Sequence, residues 1–177
     1  MNHWIEKLIR HEELVSALYR EYARHFPAQR GFFAALADEE LEHAQKIRIL
    51  GSEIKRDRAA FDLTRFDTES VDSSLAYVIQ QGDIARSGGL DLNQALAVAL
   101  TIEKSVIGGK FFDAFRGFFA DTRRLIRELG DAVNDHYLKV QDLRAELRRR
   151  TRGRSLFKRN IFSASASPGS HARSRAG

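Results

Sequence analysis

Apolar residues recur at three- and four-residue steps through most of this chain, and four such stretches predict four long helices. Over 3–26 the stripe is Ile5, Leu8, Glu12, Val15, Tyr19, Ala23 and Phe26. Pro27 interrupts it, and a second helix is predicted from about Gln29 to Leu50, with Gly51 suited to its C-terminal cap. Its core side carries Phe33, Leu36, Ala37, Glu40, His43, Ala44 and Ile47. Asp91 suits the N-cap of a third helix to about Phe115, with Leu92, Leu96, Ala99, Leu100, Glu103, Val106, Ile107 and Ala114 on one face. The fourth, about 120–150, aligns Leu125, Leu129, Ala132, Val133, His136, Val140 and Leu143. Between the second and third lies a weakly patterned stretch, 52–90, with one short helix expected over 71–85 and a break at Ser87-Gly88-Gly89. A connection this long need not be a hairpin and can cross the length of a bundle. The fold class is therefore all-α.

Each stripe contains a polar intruder of metal-ligand type: Glu12, Glu40 with His43, Glu103, and His136. At about 100° per residue, Glu40 and His43 lie within about 60° of each other on the core side, whereas Glu39 and Glu42 are expected to point elsewhere. A buried carboxylate or imidazole costs several kcal/mol unless something compensates it. A metal ion can compensate all five. One Glu from each of two helices and a Glu-x-x-His step from each of two others is the plan of carboxylate-bridged di-metal bundles. Glu12 precedes Glu40 by 28 positions and Glu103 precedes position 133 by 30, which suggests a repeat of two helical hairpins.

Charge and composition narrow the classes. The net charge is +5, but nine of the 29 Lys and Arg lie in 148–177, which has no acid; the other 20 face 24 Asp and Glu, a net of −4 over 1–147. Two parts are expected: a helical body, 1–150, and a basic, unstructured tail, 151–177, that can contact an acidic partner or none. Cysteine is absent, which excludes disulfides, thiolate zinc and cysteine-held iron–sulfur centres. No apolar run reaches the roughly 18 residues of a membrane span, and the first residues lack a signal-peptide core. A cytoplasmic protein is expected.

Glu12 with Tyr19 seven later, the run Leu36-Ala37-Asp38-Glu39-Glu40-Leu41-Glu42-His43, the run Ala95 to Glu103, and His136 together resemble the ferritin-like superfamily, in particular its small rubrerythrin-like and bacterioferritin-like members. The resemblance covers roughly 5–147 and implies a four-helix bundle with a long crossover between its second and third helices. It implies that Glu12 and Glu103 are terminal carboxylates, Glu40 a bridging one, and His43 and His136 imidazole ligands, with Tyr19 near the metal. It implies one or two non-haem iron ions (manganese or zinc also fit), oxygen or peroxide as oxidant, and a homo-oligomer. This chain departs from the pattern at Val133, where a second bridging Glu belongs, and at Val106. Three glutamates leave a ferrous pair one negative charge short in an apolar core. Lys110, expected on the Glu103 face, is expected to snorkel to solvent; the alternative is that it pairs with a glutamate and replaces part of a metal charge. With no cysteine-ligated iron domain, a peroxidase fed by one is not expected. The alternative is a bundle that has lost its metal chemistry and serves as an interaction scaffold. His3, His11, His25 and His171 have no ligand spacing and are expected at the surface.

Overall fold

Residues His3–His25 coil as α1, and two of its faces are buried rather than one. The expected stripe, with Ile5, Leu8, Val15 and Tyr19 buried, is flanked by a second buried set that includes His11, Leu18 and Tyr22. The reason is tertiary: α1 packs both on α2 (Arg30–Lys55) and on α3 (Thr68–Arg86). Ser16 donates a hydrogen bond to the Ala37 carbonyl at 2.7 Å, so α1 and α2 approach closely there. The structure, a computed structural model, describes residues 3–164.

Pro27 opens a single 3₁₀ turn, Pro27–Gln29, before α2 begins. The helix does not stop at Gly51, which is buried within it. It runs to Lys55, and Asp57 takes the left-handed conformation (φ 56°) that turns the chain out of it. Two short strands follow that the periodicity does not reveal. β1 (Ala59–Phe61) pairs antiparallel with β2 (Phe115–Gly117), matching Ala59 to Gly117 and Phe61 to Phe115. Three residues are too few to show a period of two.

Helix α3 starts at the Asp67 cap, whose side chain accepts from the Ser70 N–H at 3.0 Å. The expected crossover thus carries a helix that packs on α1 and on α4 (Leu92–Gly108). The described chain has five α-helices, the four long ones expected and the short one expected over 71–85. Asp91 caps α4 as expected, in a reciprocal capping box with Gln94. The helix ends at Gly108, however, well short of Phe115. Gly109 is its cap and Lys110 is left-handed (φ 49°) and exposed, so Lys110 does not continue the Glu103 face. The phenylalanines beyond it divide: Phe111, Phe112 and Phe115 join the core with Ile5, Leu8, Ile47, Leu129 and Val133, while Phe118 and Phe119 are exposed.

Gly117 is needed for its lack of a side chain. A Cβ there would lie 2.6 Å from the Arg123 backbone nitrogen and 2.6 Å from Thr122 Oγ1. We expect Gly117→Ala to cost about 1–3 kcal/mol, because backbone cannot swing aside as a side-chain tip can. The urea midpoint of the variant reports it, and a midpoint equal to wild type would contradict the close approach.

Helix α5 (Ala120–Ala164) continues past Arg150. Arginine and leucine are good helix formers, so a basic segment need not end a helix. By packing the chain divides into 1–141 and 142–177. The second unit is helical as far as Ala164, and the rest of the expected basic tail, 165–177 with His171, lies outside the described residues. Among the described residues no helix is long and apolar enough to cross a membrane.

Candidate metal centre

Helices α1, α2, α4 and α5 each carry ligand-type side chains inward, and the five residues expected from the periodicity meet. Glu12, Glu40, His43, Glu103 and His136 are all 3 % exposed or less. Glu40 is the hinge of the group. Its Oε2 lies 2.9 Å from His43 Nδ1 and its Oε1 lies 2.9 Å from His136 Nδ1. The two imidazoles stack, with ring centroids 5.0 Å apart. Ligand atoms of Glu40, His43 and His136 lie within 4.8 Å of one another. Glu12 Oε2 stands 3.6 Å from His43 Nδ1, and Glu103 Oε1 stands 4.0 Å from His136 Nδ1. Tyr19 closes the other side, donating to Glu103 Oε1 at 2.6 Å.

Burial and pairing compete at every group. For His43, burial disfavours the imidazolium, but the Glu12 and Glu40 carboxylates outweigh it and raise the pKa to about 10. His136 is raised in the same way, against burial, by Glu40 and Glu103. Burial pushes Glu12 up, yet the His11 and His43 imidazoles hold it far below the usual carboxylate range. Glu103 goes the other way: burial first, then the charge of Glu40, push it up to about 8. Burial, with the charges of Glu103 and Glu40, likewise raises the Tyr19 phenol.

Two residues that the periodicity assigns to solvent belong to this group. Glu39 reaches across to α5, where its Oε2 lies 2.5 Å from His136 Nε2 and Lys139 Nζ clamps it at 2.6 and 2.9 Å. Its three side-chain torsions carry it around a helix face that its Cα direction does not predict. The lysine three positions after His136 is the one sequence signal that favours this contact. His11 is buried because α3 covers it: its Nδ1 lies 3.1 Å from Glu12 Oε1 and its Nε2 lies 2.9 Å from Ser74 Oγ. Ser74 pairs in turn with Ser105 at 2.9 Å, and both line a solvent-open cleft of about 540 Å³ between α3 and α4. His3 and His25 are exposed, as expected.

Val133 points inward and lies in the apolar core with Leu129, Phe111 and Phe112. Val106 is in the same core. Lys110 makes no approach to the group.

By donor type the site fits a divalent cation. Ligand atoms of one carboxylate and two imidazoles lie within 4.8 Å of one another, with two further carboxylates beside them, a mixed set that suits iron, manganese or zinc. His136 has the arrangement of a ligating imidazole: one nitrogen faces inward while the other is held by a carboxylate. Comparison with known protein families, curated proteins and solved structures finds no match to this chain.

Proposed function

We propose that the chain is a ferritin-like helical bundle that binds a divalent metal ion, iron first among the candidates, through Glu40, His43 and His136. Glu12 and Glu103 are the neighbouring carboxylates that complete the site. The observation that carries this reading is the orientation of His136, whose Nδ1 faces Glu40 while Glu39 holds its Nε2. A buried imidazole locked in that pose is prepared to ligate without reorganising. Val133, set in apolar core, argues for one ion rather than two. An iron ion held there supplies redox chemistry toward oxygen or peroxide. The protein's own part is to orient the ligands and exclude bulk water.

Anaerobic loading with ferrous ion, followed by metal analysis per chain, tests the reading. About one iron per chain is expected in wild type. Val133→Glu restores a carboxylate one helical turn before His136 and is expected to raise the content toward two. Wild-type protein that retains no iron, manganese or zinc after loading rules the proposal out.

A second reading has its own observation. Each inward carboxylate already has an imidazole or phenol partner: Glu12 has His11 and His43, Glu40 has His43 and His136, and Glu103 has Tyr19. A network that closes on itself can serve as the buried polar centre of an interaction scaffold. Metal stoichiometry separates the two.

A further inference from the structure

His11 stands at the edge of the group, behind Glu12, and three contacts fix its ring. Nδ1 meets Glu12 Oε1 at 3.1 Å, Nε2 meets Ser74 Oγ at 2.9 Å, and the ring packs edge-on against Phe111 at a centroid distance of 5.4 Å. The Glu12 carboxylate oxygen accepts from Nδ1–H. That bond occupies Oε1 and leaves Oε2 as the oxygen that faces His43. The anchor extends further. Ser74 pairs with Ser105, and Ser105 donates to the Ile102 carbonyl at 2.7 Å, the residue before Glu103. One hydrogen-bonded string therefore runs from Glu12 on α1 through α3 to the backbone that presents Glu103 on α4. Glu39 performs the matching task for His136 on the far side.

We propose that His11, anchored by Ser74 and Ser105, is a positioning residue that sets the direction of the Glu12 carboxylate, and that α3 serves to hold it. The proposal rests on the metal-binding reading above. A partner behind a ligand fixes its orientation and raises its affinity for the ion, and losing such a partner costs about 10- to 100-fold in metal binding.

The test is a Co²⁺ titration of metal-free protein, read by affinity and by the visible d–d spectrum. His11→Leu removes both hydrogen bonds at similar volume and is expected to weaken Co²⁺ binding about 10- to 100-fold and to shift the spectrum. His11→Asn keeps a donor near the Nδ1 position and is expected to restore most of the affinity. His11→Gln keeps one near the Nε2 position, toward Ser74, and is not. A packing role predicts no such asymmetry. Wild-type affinity and spectrum in His11→Leu, or rescue by Gln equal to that by Asn, overturns the proposal. Should His11→Leu fail to fold by circular dichroism, Ser74→Ala removes the anchor alone; it too must weaken and shift Co²⁺ binding, and no change overturns the proposal. Wild-type protein that takes up no Co²⁺ sinks the metal reading instead. The contact is then judged in metal-free protein, where Glu12→Gln must move the His11 Nδ1 nitrogen resonance; an unmoved resonance overturns the proposal.

Discussion

Glu40→Ala is expected to destabilise the metal-free protein by about 3–5 kcal/mol and to abolish retention of divalent metal. The size follows from the position of this one carboxylate. Its two oxygens each meet a buried imidazole nitrogen at 2.9 Å, and both imidazoles hold their protons more firmly for it. Removing it takes the nearest carboxylate from the Nδ1 atoms of two stacked imidazoles, their centroids 5.0 Å apart, in a site with almost no solvent. Breaking a buried pair costs more than the pair ever contributed, because the partner's desolvation is left uncompensated. Glu40→Gln keeps the shape, but its amide N–H groups face an imidazole N–H, so it is expected to be destabilising as well. Urea unfolding of protein stripped of metal gives the number, and metal analysis gives the loss of binding. A change below about 1 kcal/mol would mean that the two contacts make no net contribution, as at exposed pairs.

Stability of the metal-free protein is expected to peak near pH 4.5–5 and to fall toward alkaline pH. His43 is raised from 6.5 to about 10, so its contribution is complete below 6.5 and is lost as pH rises through 10. Glu103 is raised from 4.5 to about 8, so the folded state favours its protonated form and loses that advantage between those values. Glu12 is depressed, so its contribution is present above 4.5 and is lost as pH falls below that. The alkaline arm has a limiting slope of about 1.4 kcal/mol per pH unit for each proton involved. Urea midpoints from pH 4 to 10, with chelator present, trace the curve. Glu103→Gln, neutral at every pH, is expected to remove the part of the decline between 4.5 and 8. Metal binding runs in the opposite sense, because ligating imidazoles must shed the protons that the metal-free site holds. Affinity is therefore expected to rise with pH over the same range. A flat stability profile from pH 5 to 8 would show that the buried groups do not bear the charges assigned to them.

The five central residues were legible along the chain because helical periodicity is local. Backbone hydrogen bonding repeats every 3.6 residues, so Glu12 among Leu8 and Val15, or His136 among Ala132 and Val140, has to share the apolar face. Val133 was legible as a departure for the same reason. The face of Lys110, though not its exposure, was misjudged where that rule stopped applying: Gly108 and Gly109 end α4, and the angle extrapolated from Glu103 loses its meaning. Gly51 misled in the opposite direction, since a glycine buried in a helix carries the same letter as one that caps it.

His11 and Glu39 were not legible, and they separate what the chain encodes locally from what it encodes only when folded. The sequence by itself determined that the described chain is helical, which side of each helix faces the core, and that carboxylates and imidazoles lie on that side. Only the tertiary structure decided that α3 covers the second face of α1 and buries His11, and that Glu39 reaches His136 across two helices. The first kind of information depends on angles between neighbouring residues, which the peptide backbone sets. The second depends on which faces meet and how far a flexible side chain reaches, and it is settled by packing between segments as much as 97 residues apart.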